Sequence, residues 1–193
     1  MDDAPNPSFP WMTARQGSEM LLNKPKFISE TDIEVTCPDG SKYSILDRAL
    51  EEQIENKFGY QISLKHAEGE CQDSKPVSIL GLQTVTKLGE ETGIEMLAPE
   101  RFRANIYVNW KSGEPFVEDA FLRRDLKLGD RGTRLRIVKK DSRCVIPTLD
   151  PFSSVPNPLV FETIKTRHGG CFGVYAEVIS PGIVEPGDEI YLV

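Results

Sequence analysis

The clearest chemical signal in this sequence is a cysteine directly after an arginine. In Ser142-Arg143-Cys144 the guanidinium favours the thiolate form of its neighbour. A thiolate is both a nucleophile and a soft metal ligand. Cys144 closes a basic stretch and precedes a loop punctuated by Pro147, Pro151, Pro156 and Pro158. By residue type alone a cysteine is more often a small buried side chain than a site. Cys37, Cys71 and Cys171 take that structural reading, Cys37 on a strand and Cys171 after a glycine pair. The four cysteines form no C-x-x-C pair, and their gaps suit neither a zinc ribbon nor a disulfide scaffold. Two histidines, His66 and His168, argue against a histidine-rich metal site.

Other chemistries find little support. There is no G-x-S-x-G nucleophile elbow, no P-loop and no G-x-G-x-x-G. Glu118-Asp119 is a pair of adjacent acids, which on a strand would point to opposite faces, so a solvated or hydrogen-bonding role suits them better than acid–base catalysis. Residues 101–143 hold twelve Lys/Arg against six acids, +6, leaving −13 for the rest of a chain whose net charge is −7. That total argues against a general nucleic-acid binder. The basic centre reads equally as an attractor of a small anion or as a solvated strand face.

The elements that must position these groups are mostly short strands. Asp32 to Cys37 alternates polar and apolar, Pro38-Asp39-Gly40 turns the chain, and Lys42 to Ile45 returns beside it. Ser44 and Asp47 have capping-box spacing ahead of a helix through Leu46, Ala49, Leu50, Ile54 and Phe58, which Gly59 can close. A second helix is expected near Thr84–Glu91. A third follows Pro158, with Phe161, Ile164 and His168 on one face. Strands are expected at Ile106–Trp110, around Leu126 and Leu128, at Thr133–Val138, at Val174–Val178 and at Ile190–Val193. Gly-Asp at 129–130 and again at 187–188 suits barrel corners. The pattern predicts a mainly β fold, a closed or nearly closed barrel with a few short helices.

The 193 residues suffice for one sizeable domain with a short extra segment, at 39% hydrophobic and 27% charged. No apolar run is long enough to span a bilayer, and the acidic, proline-rich start lacks secretory features. A cytoplasmic location without membrane contact is the expectation.

Several motifs together resemble one family. Ser142-Arg143-Cys144-Val145-Ile146-Pro147-Thr148-Leu149-Asp150-Pro151 resembles the S-R-C-x-x-x-T-[VL]-D-P signature of the MOSC domain, the C-terminal domain of molybdenum cofactor sulfurases. Phe102-Arg103-Ala104-Asn105-Ile106 resembles its F-R-P-N-[IL] strand, and the stretch Gly69 to Ser78 resembles its D-x-x-P-[VL] segment. Glu118-Asp119-Ala120-Phe121 is similar to E-D-x-W. Phe172-Gly173-Val174-Tyr175 with Pro181 to Asp188 is similar to the family's ending. The nearest resemblance is to the mitochondrial amidoxime-reducing component and its bacterial relatives, because Trp11 to Gln16 resembles the strand that ends that group's N-terminal β-barrel domain. Residues 1–44 would then be a lead-in with the last strands of that domain, and 45–193 the MOSC domain. Ala104 departs from the usual proline, Phe121 from tryptophan, and Gly81 from a frequent Ser or Thr.

The resemblance implies a MOSC-type β-barrel that binds the pterin-based molybdenum cofactor (molybdopterin). Cys144 would ligate the metal and be the catalytic residue. Arg103, Asn105, Ser142 and Arg143 would hold the pterin and its phosphate, and Arg15 would add a phosphate contact. Guanidinium forks suit a phosphate on chemical grounds too. It implies an oxidoreductase acting on N-hydroxylated substrates, fed by separate electron-transfer proteins. It equally implies a sulfur carrier, with a persulfide on Cys144 supplied by a pyridoxal-phosphate cysteine desulfurase. No lysine-bearing pyridoxal-phosphate domain is visible, so that desulfurase would be a separate chain. A barrel that serves only as an interaction module is the third alternative.

Overall fold

The computed structural model describes residues 11–65 and 74–193. The chain divides into two compact units, Met1–Glu68 with Leu149–Pro156, and Gly69–Thr148 with Asn157–Val193. The expected border between residues 44 and 45 lies inside the first of them. His66 and Cys71 fall outside the described residues.

The first unit is a three-stranded antiparallel sheet with a helix. Strands β1 (Lys24–Phe27), β2 (Ile33–Thr36) and β3 (Lys42–Ser44) pair in that order. Helix α1 (Arg48–Phe58) ends at Gly59, whose φ of 73° supplies the left-handed cap expected of it. Val35, Cys37 and Leu50 form the small core, so Cys37 is the buried thiol its strand position predicts. The capping box does not form. The Ser44 hydroxyl donates to Asp32 Oδ1 and accepts from Leu46 N–H, so it ties the β2–β3 hairpin rather than the helix. Trp11 to Gln16 is not a strand either: Thr13–Gln16 is a turn held by Thr13 N–H and hydroxyl bonds to Gln16 Oε1.

The second unit is a mixed six-stranded sheet with two helices. The strands are β4 (Val77–Gly81), β5 (Ile106–Val108), β6 (Asp125–Leu128), β7 (Thr133–Ser142), β8 (Cys171–Ser180) and β9 (Ile190–Leu192), in the order β5-β4-β8-β7-β6-β9. Only β4 and β5 run parallel. The fold is mainly β, as the sequence predicts, but the hydrogen-bonded ladder is open, with β5 and β9 as its edges. The sheet curls like half a barrel. Its inner face gathers Ile79, Val108, Leu126, Leu128, Leu135, Ile137, Val174 and Ala176, and Lys111 beyond β5 reaches Glu189 before β9 at 2.7 Å. The two Gly-Asp turns meet at one corner, where Gly129 N–H bonds to Glu189 O and Arg131 pairs with Glu185 and Asp188.

Helices α2 (Leu82–Thr92) and α3 (Pro158–Arg167) cover the opposite face, over a core that includes Leu80, Leu88, Phe102, Val160, Ile164 and Phe172. α3 turns Val160, Thr163 and Ile164 inward, so of the expected face Ile164 is buried while Phe161 and His168 are half-buried. His168 caps it, bonded to Glu91 Oε2 at 2.7 Å and packed on Phe116, a structural role in the α2–α3 contact. No helix among the described residues is long and apolar enough to cross a membrane.

A buried carboxylate locks the end of β4. Glu118 is 1% exposed and sits on a 3₁₀ turn (Val117–Phe121), not on a strand. Its Oε1 accepts from Gly81 N–H and the Thr84 hydroxyl, and its Oε2 from Trp110 Nε1–H. Asp119 points outward to Lys140. This explains Gly81: a Cβ there would stand 2.7 Å from Trp110 Nε1 and 2.8 Å from Glu118 Oε2. Gly81→Ala is therefore expected to cost about 1–3 kcal/mol through overpacking. A lowered urea midpoint with unchanged slope checks it, and an unchanged midpoint contradicts it.

Candidate functional site

Strand β7 is longer than its alternating sequence suggests and delivers Asp141 and Ser142 at its end, with Arg143 and Cys144 just beyond. Its neighbour β8 starts there, and the pairing shifts by one residue between Lys140↔Val174 and Ser142↔Cys171. The bulge centres on Gly173, at φ 85°. It turns Phe172 toward the helices while Val174 stays on the inner face. A Cβ at Gly173 would lie 2.8 Å from Ile79 O and 3.4 Å from Arg143 Nη2. The glycine thus serves both the backbone turn and the packing of a guanidinium.

That guanidinium is turned inward. Arg143 Nε–H donates to Phe172 O at 2.7 Å and Nη1–H to Phe102 O at 2.8 Å. Its Nη2 meets Asp141 Oδ2 at 2.8 Å as an ion pair without the alignment of a hydrogen bond. The two side chains are 9% and 3% exposed. Phe102 stacks on Phe172 and lies beneath the cation, 5.5 Å from ring centre to Cζ. Burial pushes Arg143 below the ordinary arginine pKa, and the Asp141 carboxylate pulls it back up. Expected as a phosphate ligand, Arg143 already spends its donors on backbone carbonyls and a buried acid.

What those bonds accomplish is placement. Phe102 ends a 3₁₀ turn (Pro99–Phe102), and Arg103 follows in the left-handed region at φ 51°, ψ 34°. For a residue with a side chain that conformation is costly and is held by its surroundings. Here the Tyr107 hydroxyl closes the bend, accepting from Ala104 N–H and donating to Pro99 O. Arg103 and Asn105 therefore lie in a bend before β5, not on one strand. Arg103 is exposed, and its guanidinium makes no ion pair among the described residues. Asn105 accepts from Ser78 N–H and hydroxyl through Oδ1, joining β5 to β4 and leaving its amide nitrogen outward.

Cys144 is half-buried. It and Arg103 each stand one residue from an end of the Arg143–Phe102 bond. Ser142 is exposed, and its hydroxyl lies 3.7 Å from Cys171 Sγ. Cys171 is half-exposed rather than buried, which its sequence neighbours did not signal. The register that makes it face Ser142 passes through a bulge. Arg15 is exposed in the turn of the first unit and is described with that unit. Most of the basic centre is already neutralised: Arg136 binds Asp125 in a fork, Lys140 binds Asp119, Lys127 binds Asp130, and Arg101 is buried against Thr148 O. The solvated-face reading describes Arg136, Lys140 and Lys127, but not buried Arg101 or exposed Arg103 at the site. No group of three or more metal-ligating His, Cys, Asp or Glu occurs among the described residues.

Residues 65–191 match the family described as the MOSC domain. The chain belongs to that family, whose members are commonly associated with the molybdenum cofactor. Among curated proteins a sequence search finds no match. Similar solved structures include the YuaD protein from Bacillus subtilis, 20% identical with a TM-score of 0.46, over 59% of this chain and 61% of that one, and YiiM from Geobacillus stearothermophilus, 16% identical with a TM-score of 0.47, over 89% of this chain and 71% of that one.

Proposed function

We propose that this chain binds the pterin-based molybdenum cofactor through Cys144 and acts as an oxidoreductase on N-hydroxylated substrates. The observation that carries this is half-buried Cys144 directly after buried Arg143, whose Nη1–H bonds to Phe102 O just before exposed Arg103, which makes no ion pair among the described residues. The donor set fits the group in kind. Cys144 offers a soft thiolate for the metal. Arg103 offers a planar fork for a phosphate, and Ser142 and the Asn105 amide add neutral donors. Arg143 does not fit as a ligand, because withdrawing it would break its buried ion pair with Asp141 and its bonds to the Phe102 and Phe172 carbonyls. It acts as a positioning residue that holds the Phe102–Arg103 bend against Cys144. When bound, the metal supplies the redox chemistry, while this chain's residues orient the cofactor. Separate electron-transfer proteins would supply the electrons. Protein purified from a cofactor-competent host should reduce benzamidoxime with an artificial electron donor, and Cys144→Ala should abolish that turnover. Equal turnover by both proteins rejects the proposal.

A second reading has its own observation. Cys171, a second partly exposed thiol, stands beside Ser142 at the strand end that leads to Cys144. That favours sulfur handling, with Cys144 carrying a persulfide delivered by a cysteine desulfurase.

A further inference from the structure

We propose that Tyr107 is a positioning residue of the cofactor site, whose hydroxyl holds the bend that presents the Arg103 guanidinium to the phosphate. The inference rests on the reading of Arg103 as the phosphate ligand. It starts from a backbone conformation. Arg103 lies at φ 51°, ψ 34°, a region that a residue with a side chain keeps only when its surroundings fix it. Such strain collects at binding and catalytic sites. The backbone on both sides is tied down. Phe102 O accepts from Arg143, Arg103 N–H bonds to Glu100 O at 3.1 Å, and Asn105 N–H bonds to Ser78 O at 3.1 Å. The Arg103 guanidinium, by contrast, is exposed and makes no ion pair among the described residues.

Tyr107 supplies the bonds that span the bend. It lies on β5, and its ring packs against the core beneath α2 and α3, so the hydroxyl arrives on a fixed arm. That hydroxyl accepts from Ala104 N–H at 3.0 Å and donates to Pro99 O at 2.9 Å. It thereby joins the residue after Arg103 to the start of the turn before it. Burial raises the Tyr107 pKa above the ordinary tyrosine value, so the hydroxyl keeps the proton that Pro99 O accepts. The Ala104 N–H and the charges of Arg143 and Arg103 pull the other way, which puts both guanidinium groups within electrostatic range of one hydroxyl. Tyr107→Phe keeps the ring and its packing but deletes both bonds. The bend then loses its tie, and Arg103 is free to leave the left-handed region.

The test follows pterin release from diluted holoprotein by fluorescence, using protein expressed in a cofactor-competent host. Wild type, Tyr107→Phe, Arg103→Ala and the double variant are compared below their melting temperatures. Arg103→Ala is expected to release pterin about ten-fold faster or more, and Tyr107→Phe about three- to ten-fold faster, on the scale of one charged hydrogen bond lost or weakened. In the Arg103→Ala background, Tyr107→Phe should add less than about two-fold, because no guanidinium is left to misplace. A hydroxyl that only supported the fold would speed release by the same factor in both backgrounds, and that result overturns the proposal. Release from Tyr107→Phe at the wild-type rate, beside faster release from Arg103→Ala, also overturns it while leaving Arg103 a ligand. If Arg103→Ala releases at the wild-type rate, or wild type holds no pterin, the phosphate-ligand reading fails and the positioning role fails with it.

Discussion

Arg143→Met is expected to destabilise the protein by about 3–5 kcal/mol, the range for removing one partner of a buried ion pair. The arginine answers three groups at once: the carbonyls of Phe102 and Phe172 and the carboxylate of Asp141. Methionine fills similar volume but removes the cation paired with Asp141 and the donors to two carbonyls. Most of the loss belongs to Asp141, which is 2% exposed. Adding Asp141→Asn to Arg143→Met should therefore restore part of the stability, the non-additivity of residues in one network. Arg143→Lys should fall between, because a single ammonium on a flexible stem cannot span both carbonyls and the acid in the same geometry. Denaturant titration of the four proteins checks this ordering. Equal stability of Arg143→Met and wild type would mean that the guanidinium is not the tie between β7, β8 and the Phe102 bend.

Glu118→Ala is the second large effect. The side chain takes hydrogen bonds from Gly81 N–H, the Thr84 hydroxyl and Trp110 Nε1–H. The threonine hydroxyl can rotate, but the amide and the indole cannot, and each buried donor left without a partner costs about 1–3 kcal/mol. A cavity adds to that loss. Glu118→Gln keeps the volume and one acceptor oxygen but sets an NH₂ group against a donor, so its loss should be smaller. Thermal melts should rank wild type above Glu118→Gln above Glu118→Ala. A Gln variant that melts level with wild type would show that packing, not acceptor chemistry, accounts for Glu118.

The contrast between these two residues shows what a sequence can carry. Local periodicity was enough for β2, for α1 with its glycine cap and for the alternating start of β7, because those signals lie within a dozen residues. The motif Ser-Arg-Cys was legible as a place. The role of its arginine was not, since Asp141 is two residues away but the Phe102 and Phe172 carbonyls arrive from distant segments. Nothing local marks Cys171 as partly exposed, for the same reason: only the one-residue bulge at Gly173 sets it opposite Ser142. For Glu118-Asp119 the sequence leaves a solvated and a hydrogen-bonding role open; Glu118 takes the second, on a 3₁₀ turn whose partners lie 34 and 37 residues upstream at Thr84 and Gly81. Ser44 does not cap because the helix begins later, at Arg48 with Asp47 in the N-cap position, and the Ser44 hydroxyl oxygen accepts from Leu46 N–H instead.

The central claim is that Cys144 is the thiolate that holds the metal of a bound cofactor. The direct measurement is molybdenum content together with pterin fluorescence for wild type, Cys144→Ala and Cys171→Ala, all expressed in a cofactor-competent host. Wild type and Cys171→Ala are expected to contain both molybdenum and pterin, and Cys144→Ala to lose the molybdenum. Undiminished molybdenum in Cys144→Ala, or none in wild type, would contradict the claim.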